Sequence, residues 1–373
     1  MYKKIRKYFL NYIPTVIKTG FLQKMPFLYS SLEIKPTSCT AMLTDRCNLK
    51  CIMCGQWREA PGGELHTDDW KNIITDLKQN AIKNIHFTGG EPLLRKDLGE
   101  LISYSARNGF AAGITTNGIL LTGKTLDGFI DGGLRSIAVS MDAVGPEYEK
   151  IRGVQGSFHK LEKAVSLISG AKVKRKINAY INFTLMKNNM NELKIVKKFA
   201  DEYGLPVAIC LLDKTPFIFD LEENRNEFWI SEGGDFDDLR EILRFLREEK
   251  TKNPGSLIIN FPAIDFIEDY FTDPLQKRIP CVSSQDRIII DSRGNLLGGC
   301  MSMGSFGNVR ERPFAELRKE KKYIRAKKNM FYKNCPGCSC GYFFNIRCFP
   351  PLIAEDFLEK INRRKKCLKK NSR

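Results

Sequence analysis

Histidine is nearly absent from this chain of 373 residues: His66, His86 and His159 are the whole supply, and no two of them sit at ligand spacing. They read as structural or exposed side chains. Long hydrophobic runs are missing too. No stretch approaches the roughly 20 apolar residues that cross a bilayer, which excludes a spanning helix. The N-terminus is charged, Pro14 interrupts its best apolar stretch, and no small-residue cleavage site follows, so a secretory signal is not expected. No internal repeat is visible. A composition of 42% hydrophobic and 28% charged residues excludes a disordered chain. The length suits a barrel with an extension, or two to three ordinary domains.

Acidic residues are scarce at both ends. Residues 1–38 hold seven Lys/Arg against one Glu, and residues 359–373 hold eight against one Glu, so the tails carry most of the net charge of +17. Such blocks are ordinarily solvated ends; the sharper reading is a surface for anionic lipid or another polyanion. Tyr8, Phe9, Tyr12, Phe21 and Phe27 interleave with the N-terminal cations, which favours a membrane surface at that end. Aromatic platforms at regular spacing are missing from the tails, so no specific nucleic-acid partner is expected.

Cysteine, by contrast, is plentiful, with 12 residues unevenly placed. Cys47, Cys51 and Cys54 fall within eight positions, and Cys335, Cys338, Cys340 and Cys348 within fourteen. Clustering of this kind in a long chain without a signal peptide points to metal ligation in a reducing compartment rather than to disulfides.

Short apolar runs alternate with amphipathic periods from residue 39 to 212. Candidate strands are Thr40–Leu43, Asn84–Phe87, Ala111–Thr115, Ser136–Ser140, Ile177–Leu185 and Pro206–Leu211. Between them, Thr67 can cap a helix presenting Trp70, Ile73, Ile74 and Leu77, and Asp97 with Glu100 resembles a capping box. Six strand–helix units predict a parallel, barrel-like sheet that falls short of eight-fold closure. Past residue 213 the rhythm changes. Thr215–Gly234 reads as a connection, Phe236–Glu249 as an amphipathic helix, and Arg287–Asp291 with Asn295–Leu297 as a β-hairpin across Ser292, Arg293 and Gly294.

Cys47, Cys51 and Cys54 follow the first strand, where a loop opens onto the C-terminal face. Three thiolates on one short loop can ligate three corners of a cubane iron–sulfur cluster and leave one iron open. Zinc is the alternative, but structural zinc wants four closed ligands and no fourth Cys or His follows nearby. The loop resembles that of the radical SAM (S-adenosylmethionine) superfamily. Gly89-Gly90-Glu91-Pro92 after the second strand, Thr115-Thr116-Asn117-Gly118 after the third, Ser140-Met141-Asp142 after the fourth, and then Arg152-Gly153 carry the likeness further.

The resemblance covers residues 39 to about 212 and implies a partial (β/α)6 TIM-like barrel with a small Cys-rich C-terminal α+β module. It implies a [4Fe–4S] cluster on Cys47, Cys51 and Cys54. SAM would be bound through Gly89, Gly90, Glu91, Pro92, Thr116, Asn117, Ser140, Asp142 and Arg152, with Asn182 and the backbone near Met186 as weaker carry-overs. Two glycines would let the backbone approach the ligand, and Glu91 would accept from its ammonium group. Met53 stands where the family often has an aromatic residue.

The region 275–350 resembles the SPASM and shorter twitch extensions of that superfamily, with Cys281, Cys300, Cys335 and Cys338 as ligands of one auxiliary [4Fe–4S] cluster. The spacing of Cys340 and Cys348 departs from the two-cluster pattern, and a zinc ribbon would satisfy the same four thiols. Cys210 near the end of the sixth strand is either a buried apolar side chain or a hydrogen donor to a substrate radical.

The expected organisation is a basic amphipathic segment (1–38), the barrel (39–212), a connecting helical region (213–274), the auxiliary module (275–350) and a basic tail (351–373). The expected activity is reductive cleavage of SAM, with electrons from a donor such as flavodoxin or ferredoxin, and hydrogen abstraction from a substrate. The 38 residues before the barrel are short for a leader-binding domain, which favours a small molecule or glycan as substrate, with a peptide as the alternative. A non-catalytic iron–sulfur or zinc module is the reading from another class. The expected location is the cytoplasm, peripheral to the inner membrane surface through the basic ends.

Overall fold

Buried apolar residues alternate with partly exposed ones most clearly on the second and fifth strands, and every strand but the last feeds a helix with an apolar face. A computed structural model describes residues 17–22, 24–29, 34–58, 62–213, 227–231, 233–274, 280–301, 304–332, 334, 335 and 338. Cys340, Cys348, Cys367, the tail 351–373, the first sixteen residues and most of the 215–234 connection lie outside the described residues.

The strands are β1 (Ser38–Thr44), β2 (Asn84–Gly89), β3 (Ala111–Thr116), β4 (Leu134–Ser140), β5 (Asn178–Leu185), β6 (Val207–Leu211), β7 (Leu257–Ile258) and β8 (Arg287–Ile290). Between β1 and β6 run α1 (Thr67–Gln79), α2 (Leu98–Arg107), α3 (Gly123–Asp131), α4 (Gly145–Arg152), α5 (Ser157–Arg175) and α6 (Glu192–Glu202). Next come α7 (Gly234–Lys252), α8 (Phe261–Thr272), α9 (Ser283–Asp286), α10 (Phe314–Leu317) and α11 (Lys321–Phe331). One sheet holds all eight strands in the order β7-β6-β5-β4-β3-β2-β1-β8, every named pairing parallel. The expected six strands and open barrel are therefore present, with an additional strand at each edge.

The expected hairpin is present. Ile290 and Leu296 do pair antiparallel, and Gly294 takes the φ of +88° that the turn requires. Its first arm, however, is β8, which pairs along its other edge with β1 from Ser38 to Ala41. The start of the expected C-terminal module is thus built into the barrel sheet.

Two cap assignments also differ. Thr67 is the first residue inside α1, not its cap, and its hydroxyl donates to Asp97 Oδ2 at 2.7 Å. Asp97 precedes α2 without capping it, because Arg95 and Thr67 occupy the carboxylate.

The two faces of the sheet are unlike. On β5, Ala179, Ile181, Phe183 and Leu185 are buried on one face, while Tyr180, Asn182 and Thr184 stand half-buried on the other. On β2 the same alternation sets Ile85 and Phe87 against His86 and Thr88. Barrel interiors are ordinarily filled by bulky branched residues. Here the register aligns Thr40, His86, Gly113 and Ser136 on one face, so small and polar side chains leave that face open. Among the described residues no helix is long and apolar enough to cross a membrane.

Candidate active site

The chain leaves β1 at Thr44 and turns through the three cysteines, Cys51 buried, Cys47 and Cys54 half-buried. The C-terminal end of α4 fastens this loop. The carbonyls of Arg152 and Ile151, which have no partner within a helix end, accept from Lys50 N and Ile52 N at 3.0 Å each. Gly153 ends α4 at φ +69°, and a Cβ there would lie 2.3 Å from Lys50 O, so the approach demands glycine. From the far side Asn117 Nδ2 donates to Asn48 Oδ1 at 2.7 Å, and Trp57 Nε1 to Cys51 O at 3.2 Å. Burial pushes the Cys47 thiol up to about 11 and raises Cys54 as well.

Gly89 and Gly90 line the cavity and also bring two loops of the protein together. A Cβ on Gly89 would sit 2.3 Å from Thr44 O, and one on Gly90 2.2 Å from Arg46 O. Gly90 N and Glu91 N donate to those same carbonyls at 2.7 and 2.8 Å. The glycines therefore let the loop after β2 lie against the start of the cysteine loop, and the close approach is to the protein's own chain. Glu91 is buried; its Oε1 accepts from Thr116 Oγ1 (2.7 Å) and Leu93 N (3.0 Å), its Oε2 from Asn117 N (2.7 Å). Three of about four lone-pair positions are thus occupied, leaving one for a ligand ammonium. Burial outweighs these bonds and lifts the carboxyl to about 7.

Arg152 is also more committed than its motif suggests. One of its nitrogens meets Asp142 Oδ2 at 2.5 Å, another lies 3.6 Å from Cys51 Sγ, and the guanidinium stands 5.7 Å from the Tyr148 ring centre. Asp142 accepts from Thr184 N at 2.7 Å, linking the ends of β4 and β5. The buried pair places a fixed cation beside the thiols.

One cavity of about 190 Å³ gathers these groups: Cys47, Cys51 and Cys54 face Gly89, Gly90, Glu91, Thr116, Asn117, Ser140, Asp142 and Arg152 across it. Its volume is several times the roughly 30 Å³ share of one water, so it admits a body larger than a single ion. Among the described residues no three Cys, His, Asp or Glu side chains converge closely enough to hold one metal ion. Three soft thiols around a roomy cavity, with a buried cation to balance their charge, fit an iron–sulfur cluster better than one zinc.

Three of the residues expected to touch SAM lie outside the cavity lining. Pro92 is buried at the start of a short 3₁₀ turn. Met186 is buried in the apolar core, its N–H donating to Asn189 Oδ1. Asn182 shares the open face with Thr184, which does line the cavity, two residues away. Cys210 is exposed on β6 as the register partner of Thr184, which replaces the reading of it as a buried apolar side chain.

The second group of cysteines comes from three separate segments whose backbones meet. Cys281 N donates to Phe331 O at 2.9 Å, which puts it beside the end of α11, four residues before Cys335. Gly299, next to Cys300, approaches Ser284 so closely that a Cβ would lie 2.4 Å from its carbonyl oxygen. Cys281, Cys300, Cys335 and Cys338 are all half-buried.

Sequence reasoning missed the polar knot that joins the first site to the hairpin. Asp45, two residues before Cys47, is buried; it accepts from Gln56 Nε2 and Ser292 Oγ at 2.8 Å each and pairs with Arg293 at 3.3 Å. Ser292 O then accepts from Leu65 N at 2.8 Å. Trp57, which lines the cavity, was missed as well, and its place three residues after Cys54 was the available signal.

Comparison with known proteins accords with this geometry. Residues 42–200 match the sequence model of the Radical SAM superfamily. The Fe-coproporphyrin III synthase of Methanosarcina barkeri (strain Fusaro / DSM 804) is 29% identical over 321 residues, 79% of this chain and 77% of that protein. The PqqA peptide cyclase of Granulibacter bethesdensis is 34% identical over 172 residues, so the chain spans 45% of that relative's length. Among solved structures, Streptococcus suis SuiB bound to S-adenosylmethionine superposes with a TM-score of 0.63 at 16% identity, covering 81% of this chain and 70% of SuiB. Native anSMEcpe with bound AdoMet and the Cp18Cys peptide gives 0.61 at 17%, covering 86% and 99%. At such identities the structural likeness is one of fold.

Proposed function

Because the chain belongs to the radical SAM superfamily, we propose that its Cys47, Cys51 and Cys54 hold the [4Fe–4S] cluster at which SAM is cleaved, and that its substrate is a peptide. The single observation that carries the site assignment is the cavity in which these thiols face Glu91, Asp142 and Arg152. When bound, cluster and SAM supply a 5′-deoxyadenosyl radical that takes a hydrogen atom from the substrate. The protein's own part is placement. The end of α4 and Asn117 fix the thiols, Asp142 holds Arg152 beside them, and Glu91 locks the ends of β2 and β3 together while keeping one acceptor position for an ammonium.

Peptide is preferred over the small molecule or glycan suggested by the short N-terminal segment. PqqA peptide cyclases recur among the relatives, and similar folds include SuiB solved with its precursor peptide SuiA and anSMEcpe with a bound peptide. A second reading, a tetrapyrrole, rests on the long alignment with the Fe-coproporphyrin III synthase. Cys281, Cys300, Cys335 and Cys338 are proposed as ligands of one auxiliary [4Fe–4S] cluster, supported by the meeting of their three backbone segments. A flavodoxin- or ferredoxin-like protein is the proposed electron donor, and Cys210 beside Thr184 the thiol to test as hydrogen donor.

The test is anaerobic turnover with deuterated substrates: an isotopically labelled peptide pool against a labelled tetrapyrrole precursor of Fe-coproporphyrin III. Deuterium appearing in 5′-deoxyadenosine from peptide alone supports the proposal. Transfer from the tetrapyrrole alone replaces the peptide with the second reading and leaves the cluster assignment standing.

A further inference from the structure

The N-terminal segment presents an apolar stripe that nothing in the described structure covers. Residues 17–22 are helical, and Met25 N donates to Phe21 O at 2.8 Å, continuing the turn. One side of this segment is pinned to the C-terminal region. Leu22 and Tyr29 are buried with Ile34, Val282 and Phe331, Tyr332 Oη donates to Leu22 O at 2.7 Å, and Tyr29 Oη donates to Gln285. The opposite side carries Ile17, Phe21 and Met25 at helical spacing of four, 52%, 53% and 40% exposed, and then Phe27 at 75%. Four of the ten large apolar side chains that stand exposed among the described residues fall in this span of eleven. Such concentration marks an interaction surface rather than scattered surface apolarity.

The surrounding charge identifies the occupant. The first 32 residues contain Lys3, Lys4, Arg6, Lys7, Lys18 and Lys24 and no Asp or Glu. A second copy placed on the stripe would bring Lys18 and Lys24, which stand beside it, against their own equivalents. An anionic lipid surface meets both features, taking the apolar side chains at the headgroup–acyl boundary and the cations at the phosphates. We propose that the segment 17–27 is a docking element for anionic membrane, with Ile17, Phe21, Met25 and Phe27 as the inserting side chains and the basic residues before it in the sequence as the attraction to the lipid phosphates. The pinned side then fixes the enzyme's orientation on the bilayer, because the segment is packed on the C-terminal region rather than joined to it by chain alone.

The proposal is independent of the substrate. Its test is flotation of the full-length, cluster-loaded chain with vesicles of phosphatidylglycerol and phosphatidylcholine, and with phosphatidylcholine alone. Binding to the anionic vesicles is expected to be about tenfold or more tighter, since each basic residue near an anionic surface adds measurably to affinity, and to weaken in high salt. A Phe21→Ser/Phe27→Ser variant and a Lys3/Lys4/Arg6/Lys7→Ser variant should each lose most of this binding with unchanged circular dichroism and cluster absorbance. Phe27→Ser alone alters only the most exposed side chain and serves if the double variant fails to fold. No flotation with anionic vesicles, or equal flotation of wild type and the Phe variants, overturns the proposal. So does a wild-type dimer that the Phe variants convert to monomer, since the stripe would then be a self-association face.

Discussion

The two cysteine sites are built in opposite ways. Cys47, Cys51 and Cys54 occupy eight consecutive positions, and their loop is held by the ends of three other strand–helix units through Arg152, Asn117 and Gly90. Cys281, Cys300, Cys335 and Cys338 span nearly sixty positions and depend on three backbone segments meeting, with no motif of contiguous ligands. The first is a local sequence feature fastened by tertiary contacts, the second a tertiary feature from the outset. It follows that the first should survive damage to the second more readily than the reverse, because β1, which leads into the first, is also held by β2, whereas β8 is the edge strand and is laid on β1.

The largest predicted effect tests that asymmetry. Cys51→Ala should abolish 5′-deoxyadenosine formation, while a Cys281→Ala/Cys300→Ala variant should lose auxiliary iron, measured by iron and sulfide content, yet keep SAM cleavage. Next in size, Arg152→Gln leaves Asp142 buried without its cation. Breaking a buried pair of this kind costs about 3–5 kcal/mol, to be read from urea unfolding of the apo protein. Asp45→Ala removes the knot between the sites. Loss of an outer-shell group typically weakens metal retention about 10–100-fold, and here chelator challenge should strip iron faster from the Cys47–Cys54 loop.

Smaller effects depend on pH. With Cys47 raised to about 11 and Cys54 raised too, cluster assembly must displace thiol protons, so iron uptake should accelerate steadily as pH rises from 7 to 9. Glu91 has the sign of a buried acid. With its folded value near 7 against an ordinary 4.5, the unfolded chain releases the proton first, so apo stability falls between about pH 4.5 and 7. Glu91→Gln should flatten that fall. It should also cost about 1–3 kcal/mol at low pH, because an amide cannot accept from Thr116, Leu93 and Asn117 together.

Much of the barrel was legible because period-two alternation and glycine-rich strand ends are local signals. All six expected strands lie within two residues of those observed at each end. β7 has two residues and no alternation to detect, and the pairing of β8 with β1 joins positions some 250 apart, which no local pattern encodes. The site shows the same division. Cys47, Cys51, Cys54 and Glu91, which the cavity brings together, stood out by their motifs, whereas Asp45, Gln56 and Ser292 acquire meaning only where the hairpin turn meets the cysteine loop. The Asp97 cap was misread for a related reason: propensity proposes a partner, and the nearby Arg95 and Thr67 took it.

The most direct measurement is 5′-deoxyadenosine formed anaerobically, after reconstitution with iron and sulfide and reduction, by the wild type, by a Cys47/Cys51/Cys54→Ala variant and by the Cys281→Ala/Cys300→Ala variant. The account predicts cleavage of SAM by the first and third and none by the second. Cleavage that persists without Cys47, Cys51 and Cys54, or that is absent from a fully loaded wild type in the presence of peptide and tetrapyrrole substrates alike, would contradict it.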